Sequence, residues 1–255
     1  MKMVALVVVG WLALPHALIA QQREPDVLFV AGTMQSGADV GAGGGEVEWL
    51  RTASPSATVM IGGAMTSFSD LWWSYGTVAG SVRRSRIVYS GRASLGAGRW
   101  SQGSFPYAQY VGAATTRIGR GFYGESEVQH VRMAGTAVTV VQLGATYAVP
   151  AGLSLKLAYH LAPSESTQAV SARGDISIGR FTVLGGLVAS ARQASPSSVP
   201  ALEVTTRIAP EYFGGCTVPM GASSVTVAAQ VVPQPTGRLV RLLMTLRHPL
   251  GSSRP

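Results

Sequence analysis

The sequence predicts an all-β fold: a transmembrane antiparallel up-and-down β-barrel of about 12 strands, with about 14 as the alternative, behind a cleaved signal peptide. Three observations carry that prediction. Charged residues make up only 13% of the 255, against roughly 25% in an average soluble domain, while the hydrophobic share is an ordinary 47%. Apolar residues recur at every second position through much of the chain, the period of a strand with one greasy face. The alternating segments have about the 9 to 11 residues that a tilted strand needs to cross a membrane.

At the N-terminus, Met1-Lys2-Met3 precede an apolar run from Val4 to Leu14, a Pro15 break, and Ala17-Leu18-Ile19-Ala20 ahead of the polar Gln21-Gln22. A positive start, a short apolar run and a small residue at the polar boundary form a Sec signal peptide, with cleavage expected after Ala20. The run is too short for a spanning helix, which needs roughly 20 residues. The expected organisation is a signal peptide over 1–20 and an outer-membrane barrel over 21–255.

Strands are expected near 27–34, 45–53, 57–68, 71–83 and 86–97, the last with Ile87, Tyr89, Gly91, Ala93 and Leu95 opposite Val88, Ser90, Arg92 and Ser94. Segments 106–118 and 122–133 flank the turn signal Gly119-Arg120-Gly121, and 136–148 and 153–162 flank Pro150-Ala151-Gly152. In Leu153–Leu161, Leu, Leu, Leu, Tyr and Leu line one face while Ser, Lys, Ala and His line the other. Segments 167–178 and 181–191 meet at Gly179-Arg180. A strand at 201–209 rests on Leu202, Val204, Thr206 and Ile208, and strands 223–232 and 238–248 flank Pro233–Gly237. The charge-free stretches Met133–Leu155 and Tyr212–Gly237 are interrupted by Gly and Pro, which disfavours spanning helices.

The formal net charge of +8 falls to +7 when Lys2 leaves with the signal peptide. The arginines are scattered, with Arg83-Arg84-Arg86 the one cluster, so no nucleic-acid partner is expected. That cluster follows a strand and fits either a solvated turn or a headgroup zone, where arginine meets anionic phosphate. A single cysteine, Cys216, excludes an intramolecular disulfide framework.

With apolar faces toward lipid, the lumen gathers Glu46, Glu48, Arg92, Arg117, Lys156, His160, Arg173, Asp175, Glu203, Arg207, Arg241 and Arg247, joined by Glu125, Glu127 and Arg132. Such groups either form a hydrogen-bonded network that fills a narrow barrel or line a water path with a mild anion preference. A barrel of about 12 strands favours the filling network. Trp72, Trp73, Trp100, Tyr107, Phe122, Tyr123, Tyr147 and Tyr159 are expected at the membrane interfaces, where amphipathic rings meet headgroups.

No catalytic residue, metal site or cofactor is expected. Barrel enzymes that act on lipid place His and Ser two positions apart on one strand face, whereas His160-Leu161-Ala162-Pro163-Ser164 has four, and His130 is followed by Arg132 and Met133. No His/Asp/Glu group has metal-ligand spacing. Gly41–Gly45 reads as a flexible turn, since it lacks the Lys-Ser/Thr of a phosphate loop, and Cys216 reads as part of a Gly-Gly-Cys loop.

The segment from Trp73 to Val188 resembles the YaiO-type outer-membrane β-barrel family through Trp73-Ser74-Tyr75, an Arg-containing strand, the aromatic and Gly-rich hairpin from Phe105 to Tyr123, and Leu143-Gly144-Ala145-Thr146-Tyr147. The resemblance covers about half the chain and implies a Gram-negative outer-membrane location and a link to surface polysaccharide or envelope assembly. The function expected is therefore a non-enzymatic structural or envelope-associated role, tied to polysaccharide or to a narrow pore. Its partners would be outer-membrane lipid and lipopolysaccharide, the barrel assembly machinery, and polysaccharide. Two rivals are a lipid-modifying barrel enzyme and a soluble periplasmic β-sandwich that binds carbohydrate.

Overall fold

A computed structural model describes residues 26–37, 40–68, 71–101, 103–150, 152–163, 167–192, 210–234 and 237–250. The signal peptide expected over 1–20 lies outside the described residues. Within them the chain forms one closed antiparallel barrel of fourteen strands, each paired with its neighbours in sequence. They are β1 (Asp26–Gly37), β2 (Val40–Ser54), β3 (Ala57–Phe68), β4 (Leu71–Arg84), β5 (Ile87–Trp100), β6 (Gly103–Arg117) and β7 (Phe122–Met133), followed by β8 (Thr136–Val149), β9 (Leu153–Ala162), β10 (Thr167–Ile178), β11 (Phe181–Arg192), β12 (Glu211–Met220), β13 (Ser223–Gln234) and β14 (Gly237–Leu250). β1 pairs with β14 from Asp26↔Leu250 to Ser36↔Val240, so no strand edge is left open.

The pleat gives the barrel an apolar outer face and a mixed inner face, where polar and charged groups share the wall with buried Val27, Phe29, Met60, Phe105, Val138 and Leu184. Large apolar residues exposed on the outside include Met34, Ile61, Met65, Val78, Leu95, Leu143, Leu157, Val170, Leu242 and Met244. They recur around the whole circumference, and Ile118, in the β6–β7 turn, is the one exposed large apolar residue described that lies off the strands. The buried polar residues Thr77, Ser94, Gln109, Gln129, Gln142, Thr146, His160, Ser171 and Thr226 all sit at inward positions of the ladder. A water-soluble sandwich has the reverse arrangement, with apolar residues buried between its sheets.

β1 starts and β14 finishes at one end of the barrel, here the terminal end. The short turns at 55–56, 85–86, 118–121, 179–180 and 221–222 lie there. At the opposite, loop end the longest connection joins Arg192 to Glu211. Gly121 (φ +72°) and Gly152 (φ +83°) supply the left-handed backbone that their turns need. A Cβ at Gly152 would also approach Ser177 Cβ to 2.8 Å.

Two readings of local sequence change. Gly41–Gly45 is part of β2 rather than a flexible turn, and Cys216 is in β12 rather than a loop. Both segments keep their ladder partners despite weak side-chain alternation, because strand pairing uses backbone groups that glycine retains. The strand expected at 201–209 falls outside the described residues.

Candidate functional site: the barrel lumen

The inward face carries its charges in small groups on different walls. Near mid-strand, Arg92 of β5 forms an ion pair with Glu48 of β2, and its Nη2 lies 3.7 Å from Glu46 Oε1. β3 and β4 separate the partners, and Gly62 on β3 with Thr77 and Ala79 on β4 leave a path of small inward residues between the larger Met60 and Tyr75. A Cβ at Gly62 would lie 2.8 Å from Glu48 Cγ, so the missing side chain is what lets the carboxylate lean across.

On the next wall, Lys156 of β9 pairs with Glu125 of β7, and Thr146 of the intervening β8 donates a hydrogen bond to the same carboxylate. Glu127 points inward one pleat further along β7. On β10, Arg173 and Asp175 share a face two residues apart, with Nη2 2.7 Å from Oδ1 and Nε 3.1 Å from both oxygens, a fork that fixes the guanidinium. A chain runs across three adjacent strands: Gln230 Nε2 donates to Glu211 Oε2 at 2.8 Å, and Arg241 Nη1 donates to Gln230 Oε1 at 3.0 Å. Hydroxyl pairs such as Thr77–Ser94 and Thr217–Thr226, each 2.8 Å apart, complete the polar lining.

Of the residues expected in the lumen, Glu46, Glu48, Arg92, Arg117, Glu125, Glu127, Lys156, His160, Arg173, Asp175, Arg241 and Arg247 occupy inward positions. Glu203 and Arg207 lie outside the described residues. Arg132 is a correction: with His130 it alternates onto the outward face of β7, opposite in phase to Glu125, Glu127 and Gln129. Arg83, Arg117 and Arg247 are inward at the terminal end, making that mouth basic.

The aromatics divide between the faces. Trp72, Phe122, Tyr147 and Tyr159 face outward, and the Phe122 and Tyr147 rings meet with centroids 4.4 Å apart. Trp73, Trp100, Tyr107 and Tyr123 instead turn inward and cannot belong to a lipid-facing girdle. Adjacent residues on a strand take opposite faces, so Trp72 and Trp73 cannot both reach lipid. Trp73 and Tyr107 join Tyr75 near the loop end, with Tyr75 and Tyr107 stacked at 4.9 Å and Trp73 6.5 Å from Tyr107. Tyr107 Oη donates to Gln109 Oε1 at 3.0 Å.

Sequence reading overlooked Glu211, Gln230, Gln109 and Tyr75. Gln109 and Tyr75 carry a usable signal, since each shares its parity with a lumen residue on its own strand. His160 finds a hydroxyl partner other than the serines considered from sequence: its Nε2 lies 3.0 Å from Ser171 Oγ on β10. Both residues are buried and face the lumen, away from the wall where a lipid substrate would lie.

Barrel diameter grows with strand number, from roughly 8 strands that side chains fill to roughly 16 strands that leave an aqueous channel. Fourteen strands place this barrel toward the open end of that range.

No family model and no curated protein sequence matches the chain. Solved structures match its fold. A deletion mutant of the TodX monoaromatic hydrocarbon channel superposes with a TM-score of 0.65 at 7% identity over 92% of each chain. The toluene transporter TbuX of Ralstonia pickettii gives 0.61 at 8% identity over 91% of each chain. A bacterial polysaccharide outer-membrane secretin gives 0.62 at 9% identity, covering 91% of this chain and 100% of the other. The fold is thus that of outer-membrane β-barrel channels, while the narrower YaiO-type assignment is carried by no matching family model.

Proposed function

We propose that the protein is an outer-membrane channel of a Gram-negative bacterium that conducts small hydrophilic solutes and favours anions. The observation that carries this reading is the polarity of the barrel: large apolar side chains are exposed along the outer wall, with outward charge near the strand ends, while the described ion pairs lie inside. A hydrocarbon channel, as the TodX and TbuX names describe, would gain little from five separate groups of lumen charges. The basic mouth of Arg83, Arg117 and Arg247 supports the anion preference, because rings of arginine raise the local anion concentration. The terminal end faces the periplasm in this reading, since membrane barrels carry short turns on that side and longer loops outside. The barrel assembly machinery inserts it, and no catalytic step or cofactor enters the function.

Trp73 and Tyr75, half-buried near the loop end with Tyr107 packed behind them, favour sugars as solutes, because flat rings offer apolar faces to the C–H faces of a sugar. This keeps the link to surface polysaccharide expected from the YaiO-type resemblance. The test is reconstitution of the detergent-extracted chain into planar bilayers and sugar-loaded liposomes. Stepwise conductance with an anion preference and swelling in mono- and disaccharides is expected. A heat-modifiable barrel that inserts yet passes neither ions nor sugars would leave the structural, envelope-associated role.

A further inference from the structure

On the outer wall, Gly80, Gly91 and Gly112 are direct ladder partners across β4, β5 and β6, forming a row without side chains. The row floors a shallow, open groove with Tyr110 and Val128 among its walls and His130 at its loop-end side. Tight packing does not require two of these glycines. A Cβ at Gly112 would meet nothing within 4 Å, and one at Gly91 would make only an ordinary contact of 3.8 Å with Val111 O. Bare positions that could carry a side chain leave room in a wall otherwise studded with Val, Leu and Ile.

His130 is an ionisable residue on the hydrocarbon face, a costly placement that ordinarily marks function. Its Nδ1 lies 2.9 Å from Thr139 Oγ1, which fixes the ring beside the groove. Arg132 follows on the same outward face, one residue short of the end of β7. The groove therefore runs from apolar mid-wall to a cationic edge at the loop end. Among the described residues the outward charges at the loop end are Arg99, Arg132 and Arg238, all positive, whereas the terminal end carries Arg51 and Arg84 with the acid Asp26.

From this charge complementarity we infer that the groove seats an acyl chain of a phosphorylated, lipid A-type glycolipid in the leaflet at the loop end, with its phosphate against Arg132 and His130. Acyl burial supplies affinity in proportion to the methylenes covered, Arg132 adds the selectivity for phosphate, and the His130 ring is a hydrogen-bonding partner beside it. The site is separate from the lumen, so it holds the barrel in its leaflet and does not gate solutes.

The inference rests on the membrane-embedded reading, and the experiment separates the two. The full chain, extracted in detergent and stripped of lipid, is titrated with diphosphoryl lipid A and with its dephosphorylated form by native mass spectrometry. One tightly held diphosphoryl lipid is expected, with Arg132→Gln weakening it about fivefold, the effect of one arginine near a phosphate. Gly112→Leu should weaken both forms about tenfold, as if roughly two methylenes lost their contact. Unchanged binding in Gly112→Leu, or equal affinity for both lipids in the wild type, overturns the site. Loss of self-association in Gly112→Leu with lipid binding intact would also overturn it, assigning the groove to a second copy of the chain. Recovery of the chain in the soluble fraction without detergent would instead sink the membrane reading itself.

Discussion

Phe105 of β6 lies over Gly98, its direct cross-strand partner on β5, so that a Cβ built on Gly98 would collide with the Phe105 ring and come within 2.7 Å of Trp72 O. The same relationship recurs across the barrel, where Phe213 of β12 covers Gly186 of β11. In both pairs a bare strand position lets the wall bend tightly, and the neighbouring ring restores the apolar cover that glycine lacks.

Replacing Gly98 with Val should therefore cost about 1–3 kcal/mol, the range for overpacking a filled position. Gly91→Ala, on the outside with ordinary clearance, should stay within about 0.5 kcal/mol. The temperature at which the folded band gives way to the unfolded one on a gel reads both. Equal shifts in the two variants would contradict the account of Gly98.

The Arg92 group should behave as one electrostatic unit. Arg92→Gln leaves Glu46 and Glu48 facing each other without the cation they share, and destabilisation of about 1–3 kcal/mol is expected, below the fully buried case because water reaches the site. Adding Glu48→Gln to Arg92→Gln should recover part of that loss. Urea titrations of the single and double variants measure the coupling, and purely additive effects would show that the ion pair contributes nothing.

Ion selectivity provides a third check. Changing Arg83, Arg117 and Arg247 together to Gln removes positive charge from the terminal-end mouth without touching the mid-barrel groups. The anion-to-cation permeability ratio, taken from reversal potentials in a salt gradient, should fall toward one or below. The effect should shrink at high salt, where the Debye length drops to about 3 Å at 1 M. A ratio that ignores all three substitutions would place the selectivity elsewhere.

Cys216 offers a probe already present in the chain. It is half-buried, unpaired with any other cysteine, and on the outward face of β12, so in intact membranes a water-soluble maleimide should leave it unmodified until the protein is unfolded. In a Cys216→Ser background, Ser101→Cys at the loop end should react on whole cells. Ala222→Cys in the β12–β13 turn should react only after the outer membrane is permeabilised. The opposite pattern would invert the proposed orientation.

Much of this architecture is readable from residues alone because a barrel writes its two environments into alternate positions. Leu153, Leu155, Leu157, Tyr159 and Leu161 state the outward parity of β9 without ambiguity, and each predicted segment except 201–209 coincides with an observed strand. β12 escapes notice because its outward positions are Tyr212, Gly214, Cys216 and Val218, with too little contrast against the inward Phe213 and Gly215. Gly215 has a reason to be bare that sequence does not display: a Cβ there would meet Ala228 Cβ at 2.7 Å. The lumen charges follow from parity within a strand, but their partners do not. Arg92 reaches Glu48 across two intervening strands over the bare Gly62 position, and no spacing along the chain records that meeting.

The seam between β1 and β14 joins the earliest and the latest strands of the barrel. Until β14 has arrived, the growing sheet holds two unsatisfied edges that hydrocarbon cannot hydrate, and afterwards it holds none. A sheet that lacks β14 therefore keeps the free edges of β1 and β13 unpaired, and hydrocarbon penalises every backbone group along them.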